Sequence, residues 1–240
     1  METGLYVSLS SQVARLARLN TIAENIANSK TVGFRAGQVK FEEVVEDVSG
    51  TETSFSSKGV EYLDVKPGGL EQTDNPLDFA VRGNAWFGIE TPAGTAVTRD
   101  GRFTMSENGD LITLSGYPVL DPGGAPITLD PAGGVPELDD NGILRQNGRL
   151  VAGLGLFAFD PPPDFQRYGN SGILVGGEPD PIVDDPDVGI VQGRVELSNV
   201  DPLNEMTQLI MVQRSFEEAA SLMETSEDSM KQLIRAFSAS

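Results

Sequence analysis

The last forty residues carry apolar side chains at intervals of seven, the pattern that most limits how this chain can fold. Such a repeat places its members on one face of an α-helix. Asp201 followed by Pro202 supplies an N-cap and a favoured first helical residue. We therefore predict a helix from about Pro202 to about Phe237, roughly 50 Å long at ~1.5 Å per residue. Its stripe consists of Leu209, Phe216, Met223, Met230 and Phe237.

A second helix with a similar stripe is predicted at the N-terminus. In a heptad register its seam contains one polar residue, Gln12, among the apolar residues Leu5, Leu9, Leu16, Leu19, Ala23 and Ile26. Asn25 and Asn28 lie three residues apart on one face of this helix. An amide near an apolar seam fixes register because the neighbouring chain must match its donors and acceptors. We expect the two asparagines to set stagger between helices, the alternative being that they face water or cap the helix end.

Between the helices, short β-prone runs such as "WFGIE" and "DLITL" are separated by four turn dipeptides. These are Asp100-Gly101, Asn108-Gly109, Asn141-Gly142 and Asn147-Gly148, which supply the positive φ of tight hairpins. The expected fold class is α+β, with long N- and C-terminal helices packed as a coiled-coil-like pair around a central all-β domain of short antiparallel strands. The expected divisions are an N-terminal helix (1–32), an extended connector with one or two strands (33–78), the β domain (79–192), and a return segment with the C-terminal helix (193–240).

Composition argues against most enzyme classes. The chain has neither cysteine nor histidine, which removes thiolate metal sites, cysteine nucleophiles and the usual general base. No nucleotide-binding glycine motif occurs. The stretch "ELDDNG" from Glu137 resembles a calcium loop, but its twelfth position is Gly148, which favours a hairpin turn. We predict no catalytic residue, no cofactor and no metal.

Charge and hydropathy bear on partners and location. With 17 basic and 36 acidic residues the net charge is -19, so nucleic acid and direct lipid binding are not expected. The start "METGLYVSLSSQ" lacks a basic segment followed by an unbroken apolar run, and no run approaches the ~18 apolar residues of a membrane span. We expect no general secretory signal peptide.

Three segments, in order, resemble one family. The stretches "LNTIAENIANSKTVGFRA" and "VELSNVDPLNEMTQLIMVQRSFEEA" resemble the paired terminal signatures of the flagellar rod and hook family, the axial proteins of the bacterial flagellum. The stretch "LDFAVRGNAWFGIETPAGTAVTRDGRFTMSENGDLITLSGYPVLD" resembles the shared β domain of that family. Classes within this family differ after the N-terminal helix. The stretch "SKTVGFRA" followed by "VKFEE" is similar to the proximal-rod class. Distal-rod and hook sequences usually have Thr-Pro-Gly where this chain has Thr31-Val32-Gly33.

The resemblance implies a structural subunit of the proximal rod that assembles helically through its terminal helices. It also implies export by the flagellar type III apparatus without a cleaved signal peptide, residence in the periplasm-spanning rod of the basal body, and other rod subunits as partners. A distal-rod or hook subunit is the alternative within the family. The expected assembly interface comprises Leu5, Leu9, Leu16, Leu19, Asn25, Ile26, Asn28, Gly33, Phe34, Leu209, Phe216, Met223, Met230 and Phe237.

Two functions of other classes stay open at this point. One is a secreted hydrolase, such as a glycosidase, that works with carboxylates alone. With 36 acidic residues, some pair must lie at catalytic spacing by chance, so the sequence does not discriminate here. The other is a free-standing, adhesin-like binding module carried on a coiled-coil stalk.

Overall fold

The computed structural model describes residues 2–41, 43–48, 51–57, 59–139, 142–177, 179–183 and 185–238. Within the helices and strands, the side chains of residues 2–8, 43–48, 51–56, 222–224, 226–230 and 232–238 are outside this description. The fold class is α+β. Two helices, α1 (Glu2–Ala27) and α2 (Pro202–Ser238), flank many short antiparallel strands. The C-terminal helix was predicted to run from about Pro202 to about Phe237, which is confirmed.

The strands follow one another between the two helices. They are β1 (Gly37–Lys40), β2 (Glu43–Val48), β3 (Thr51–Ser56), β4 (Val60–Leu63), β5 (Leu70–Gln72), β6 (Phe79–Arg82), β7 (Trp86–Thr91), β8 (Gly94–Thr98), β9 (Phe103–Met105), β10 (Leu111–Thr113), β11 (Glu137–Leu138), β12 (Ile143–Gln146), β13 (Arg149–Gly153), β14 (Leu156–Ala158), β15 (Arg167–Tyr168), β16 (Gly172–Leu174), β17 (Asp180–Pro181), β18 (Gly189–Gln192) and β19 (Arg194–Glu196). The largest sheet has six strands in the order β15-β16-β8-β7-β14-β17.

The chain divides into two compact units. The first comprises Met1–Ala27, Gly37–Tyr62 and Asp201–Ser240, and so contains both helices and the hairpin of β2 and β3. The second comprises Asn28–Ala36 and Leu63–Val200, and contains the β domain. We call them the helical unit and the β unit.

Aromatic and branched apolar side chains fill the core of the β unit. Phe87 meets Phe103 edge to face with ring centroids 5.2 Å apart, and Phe79 packs against Phe103 with ring centroids 6.0 Å apart. Leu111 and Leu144 are fully buried in the same cluster. Burial of this kind, at roughly 25 cal/mol per Å² of apolar surface, is the main source of stability for a sheet domain.

Asn108-Gly109 and Asn147-Gly148 form hairpin turns as predicted, and of Asn141-Gly142 only Gly142 lies within the described residues. Asn147 and Gly148 both have positive φ, 48° and 74°, in a two-residue turn between β12 and β13. Gly109 and Gly142, also at positive φ, lie in the turns that join β9 to β10 and β11 to β12.

The hairpin prediction for Asp100-Gly101 is wrong. β9 pairs with β10 instead of β8, and the Phe79 N–H donates to the Gly101 carbonyl at 2.9 Å. A β-carbon at position 101 would lie 1.8 Å from the Phe79 carbonyl oxygen. Glycine is needed here for close backbone approach rather than for a tight turn.

The connector contains more strands than the one or two predicted. Residues 37–72 form five strands, because the alternating β-prone runs "EVVEDV" and "TETSFS" pair along their whole length as β2 and β3. α1 ends at Ala27, before the expected boundary at residue 32.

Two kinds of feature were searched for in the described part of the chain. No described helix combines the length and hydropathy that crossing a bilayer requires. No described group of three or more acidic side chains is placed to hold a metal ion. Asp139, from the calcium-like stretch, accepts a hydrogen bond from the Ile143 N–H and forms an ion pair with Arg145.

Candidate assembly site

Within the helical unit, α1 and α2 run antiparallel in contact. Arg15 Nε donates to Ser215 Oγ at 3.0 Å, and further along α1 Arg18 Nη2 donates to Gln208 Oε1 at 3.2 Å. Among the helix side chains that the structure describes, the buried apolar ones are Ala14, Ile22 and Val212. In the described part of each helix, only a narrow strip is therefore buried by the subunit's own packing.

Several other apolar side chains in the described parts of the helices are exposed. On α1, Leu9 and Leu16 are each 51% exposed and Val13 lies between them. Spacings of four and three residues place these side chains on one face. On α2, Leu203 is 75% exposed, and exposed apolar residues follow at Met206, Ile210 and Met211. A contiguous apolar surface of this kind marks an interaction site.

The predicted interface residues divide into four groups. Leu9 and Leu16 are exposed, and half-buried positions are occupied by Leu19, Ile26, Asn28, Leu209 and Phe216. Asn25, Gly33 and Phe34 are buried within the subunit. The side chains of Leu5, Met223, Met230 and Phe237 lie outside the described residues.

Asn25 is only 2% exposed and pairs with the backbone of Gly37 at the start of β1. Its Nδ2 donates to the Gly37 carbonyl at 2.9 Å, and the Gly37 N–H donates to Asn25 Oδ1, also at 2.9 Å. The alternative that Asn25 faces water is therefore wrong. The amide ties the end of α1 to the first strand inside one subunit.

Asn25 also affects the first turn of α2. Burial raises the pKa of Glu205, while a hydrogen bond from the Asn25 side chain and the charge of Arg18 act in the opposite direction. The Asp201 carboxylate caps the same turn by accepting from the N–H groups of Leu203 and Asn204. The end of α1 and the start of α2 are thus joined by polar contacts.

Replacing Asn25 with leucine is expected to lower stability, not to strengthen helix association. The substitution leaves the buried N–H and C=O of Gly37 unpaired, which costs about 2–4 kcal/mol for the two groups. Circular dichroism at 222 nm during thermal unfolding, compared with Asn20→Leu at an exposed site of α1, measures the difference. Equal melting of both variants would contradict a structural role for the Asn25 amide.

The residues after α1 form a tight turn in the β unit. The Thr31 N–H donates to the Asn28 carbonyl, and Thr31 Oγ1 donates to Asn28 Oδ1 at 3.1 Å. The Phe34 N–H then donates to the Thr31 carbonyl, while Gly33 has φ +71°. This is a type II turn, with Val32 at the first central position and Gly33 at the second.

Gly33 is also pressed against a neighbouring loop. Its N–H donates to the Glu196 carbonyl at 2.7 Å. A β-carbon built on Gly33 would lie 2.2 Å from the Asp100 nitrogen. Both the positive φ and this contact require glycine.

Two arginines and one glutamate form a buried cluster beside the turn. Arg35 Nη2 lies 2.7 Å from Glu196 Oε1, and Arg99 Nη1 lies 3.2 Å from Glu196 Oε2. Arg35 and Glu196 are each 1% exposed. The Gly68 N–H donates to Glu196 Oε1, and Arg99 Nη2 donates to the Gly83 carbonyl. The single carboxylate thus binds two guanidinium groups.

Trp86 completes this cluster. The guanidinium carbons of Arg99 and Arg35 lie 5.1 and 5.9 Å from the Trp86 ring centroid, within cation–π range. Burial lowers the pKa of Arg99 to about 10, with Glu196 acting in the opposite direction. Arg99 is therefore charged near neutral pH. By formal charge, two guanidinium groups around one carboxylate leave the cluster with one excess positive charge. The indole of Trp86 lies where it can report on this environment.

Asn199 joins separate chain segments within the β unit. Its Oδ1 accepts from the Ala36 N–H at 2.7 Å, and its Nδ2 donates to the carbonyls of Asp64 and Lys66 at 2.9 Å. Phe34, Ala36 and Val200 form a small buried cluster next to it. The segment that follows α1 and the segment that precedes α2 are thereby held side by side.

The sequence analysis did not identify Arg35, Arg99, Glu196 and Asn199 as functional residues. Arg35 lies in the quoted signature "TVGFRA", and Glu196 and Asn199 lie in "VELSN". The available signal in the sequence was a charged residue close to a glycine turn. Arg99 and Glu196 are 97 residues apart along the chain, so short-range periodicity could not pair them.

The comparisons with known proteins agree with the terminal and central signatures. Residues 5–35 match the family model described as "Flagella basal body rod protein". Residues 80–158 match "Flagellar hook protein FlgE/F/G D1 domain". Residues 191–236 match "Flagellar basal body rod FlgEFG protein C-terminal". These matches include α1, the core of the β unit and α2.

Full-length relatives identify the class. The chain is 54% identical to the flagellar basal-body rod protein FlgF of Mesorhizobium japonicum, over 99% of this chain and 98% of that protein. It is 50% identical to FlgF of Rhizobium meliloti over the whole of both chains. Identity to the flagellar basal-body rod protein FlgG of Bacillus subtilis is 28%, over 98% of each chain. The chain therefore belongs to the FlgF family of flagellar basal-body rod proteins.

Proposed function

We propose that this chain is a proximal-rod subunit whose two terminal helices pack as a coiled-coil-like pair and bury their remaining apolar faces against neighbouring subunits. Membership of the FlgF family makes the chain a structural component of the flagellar basal-body rod and not an enzyme. The carboxylate hydrolase and the free-standing binding module are both set aside for this reason.

The exposed apolar surface of the helices carries the proposal. Leu9, Val13 and Leu16 on α1, with Leu203 and Ile210 on α2, stay exposed in the subunit. At roughly 25 cal/mol per Å², removing such side chains from water favours association strongly. When contacts between different faces of identical subunits do not close into a ring, they build a helical filament, which can act as a drive shaft.

The buried members of the predicted interface have a different part in this proposal. Asn25, Gly33 and Phe34 hold the end of α1 and the following turn in shape within each subunit, and the exposed residues make the contacts between subunits. The side chains of Leu5, Met223, Met230 and Phe237 extend the same heptad pattern. We assign them to the interface on that pattern alone.

The partners and route follow from the proposed role. Other rod subunits are the neighbours, and the flagellar type III apparatus exports the chain without a cleaved signal peptide to the periplasm-spanning rod. The net charge of -19 disfavours nucleic acid and anionic lipid as further partners. The absence of cysteine suits a chain that crosses between compartments unfolded.

Phe216→Asp tests the proposal. Phe216 is half-buried on α2, and a carboxylate in a face that becomes buried on assembly costs several kcal/mol. We expect the number of complete rods, counted in purified basal bodies, to fall about tenfold or more. Swimming motility should be lost as well. The β unit should stay folded, as reported by Trp86 fluorescence.

The matched control places the same charge on the solvent side of the helix. Gln213 is exposed on α2, so Gln213→Asp should assemble normally. Motile cells with normal rods from Phe216→Asp would show that this helix face is not an essential contact.

A further inference from the structure

A groove of about 400 Å³ lies in the helical unit between α1 and α2. Its floor contains the buried side chains of Ala14 and Val212. Met211 and Phe41 add apolar surface, and Arg15 and Arg18 add two positive charges. The groove thus combines apolar contact area with cations, in a chain whose net charge is -19.

Neutral side chains are the hydrogen-bond partners of both arginines. Arg15 donates to Ser215 Oγ and Ser11 Oγ, and Arg18 donates to Gln208 Oε1. Among the described residues, no carboxylate forms an ion pair with either guanidinium, although the charge of Arg18 is felt by Glu205 at longer range. The groove is therefore positively charged and complementary to an acidic, partly apolar ligand.

The segment of α2 that follows the groove has this chemistry. Glu217 and Glu218 are exposed beside the half-buried Phe216. In the sequence they are followed by three more acidic residues, Glu224, Glu227 and Asp228, with Leu222 and Met223 among them. Residues 216–228 thus form an acidic amphipathic stretch.

This stretch cannot occupy the groove of its own subunit. The groove is lined by α2 residues from Gln208 to Ser215, and α2 is one continuous helix from Pro202 to Ser238. A continuous helix rises ~1.5 Å per residue and cannot turn back on its own preceding turns. A copy of this stretch that binds in the groove must therefore belong to another molecule.

We propose that the groove formed by Arg15, Arg18, Met211 and Phe41 binds the acidic stretch 216–228 of α2 from a second copy of this chain. The inference rests on the proposed function and adds the residues that meet. The groove and the stretch are different surfaces, so the contact is heterologous and each copy retains one unused groove and one unused stretch. Repetition of the contact extends a filament.

Charge exchange provides the first test. Two double variants each place like charges in the contact. One carries Arg15→Glu with Arg18→Glu, and the other carries Glu217→Lys with Glu218→Lys. Each should reduce the number of complete rods about tenfold or more. A chain that carries all four substitutions restores opposite charges and should recover rods to within about twofold of the parent. Glutamate at position 15 can still accept from the hydroxyls of Ser11 and Ser215, so the helix pair is retained.

Arg214→Glu is the matched control, because Arg214 is exposed on α2 and does not line the groove. It should assemble as the parent does. Failure of the four-substitution chain to recover, with its circular dichroism spectrum unchanged, would overturn the proposal. So would a loss of rods in Arg214→Glu equal to that of the groove variant, since the effect would then follow net charge alone.

Disulfide trapping separates this inference from the proposed function. The chain has no cysteine, so any disulfide must involve an introduced cysteine. Met211→Cys and Ala220→Cys are made as two single variants and expressed in the same cells. In isolated basal bodies we expect a dimer between the two variants, and no dimer when Leu150→Cys, an exposed site of the β unit, replaces Ala220→Cys. Incorporation into basal bodies without the 211–220 dimer would reject the groove contact alone. A disulfide of Met211→Cys to a different rod protein would also reject it, and absence of the chain from basal bodies would reject the proposed function itself.

Discussion

Valine in place of Gly33 is expected to prevent stable folding of the β unit and to abolish rod formation. Gly33 has φ +71°, and a β-carbon there would lie 2.2 Å from the Asp100 nitrogen. A β-branched residue adds strain of about 1–3 kcal/mol to the cost of that clash, so a total loss of about 4 kcal/mol or more is expected. Urea unfolding followed by the fluorescence of Trp86, the single tryptophan, measures it in the β unit itself.

Val32→Pro is the contrasting variant. Position 32 is the first central residue of the type II turn, where proline is favoured and where φ near −65° suits the turn. We expect its unfolding free energy to stay within about 1 kcal/mol of the parent, with normal motility. If the two variants were equally stable and equally motile, Gly33 would not be needed for this turn.

Glu196→Gln should destabilise the β unit nearly as much. Glutamine preserves the size of the side chain but leaves the guanidinium groups of Arg35 and Arg99 buried without a counter-charge. Removing one partner of a buried ion pair costs about 3–5 kcal/mol. The measurement is again denaturant unfolding followed by Trp86, whose ring lies against both arginines.

Arg35→Met is the control, because it changes the same cluster in the opposite sense. It leaves one arginine and one glutamate, so the buried excess charge disappears, and the Arg35 carbonyl can still accept from Arg167 Nη2. Methionine retains apolar packing against Trp86. We expect a loss of less than about 1.5 kcal/mol. A loss equal to that of Glu196→Gln would contradict the view that charge imbalance governs stability here.

Local sequence patterns were sufficient for the helices and most turns. The heptad series from Leu209 and the Asp201-Pro202 pair predicted α2 nearly to the residue, because periodicity and capping depend on neighbours within one or two turns of helix. Asn147-Gly148 predicted its hairpin for the same reason. Asp100-Gly101 looked identical in sequence, but a distant strand beginning at Phe79 determines its geometry.

The amide of Asn25 shows where local patterns stop being informative. Its position near an apolar seam favoured a partner on a neighbouring chain, yet its partner inside the subunit is the backbone of Gly37. A buried amide binds whichever backbone groups the fold brings to it, and those groups have no sequence signature. Its influence on the stagger between subunits stays a prediction.

The two helices, the β-rich middle, the excess negative charge and the family could all be predicted from the amino-acid sequence alone. Each depends on composition, short-range periodicity or matched segments, which are properties of the chain before it folds. Three facts became evident only from the folded structure. Arg35, Arg99 and Glu196 share one buried site, Gly33 faces Asp100, and Leu9 and Leu16 are exposed while Ala14 and Ile22 are buried. These facts depend on which distant segments meet. The pairing energy of such contacts arises only once folding has removed water and brought the groups together.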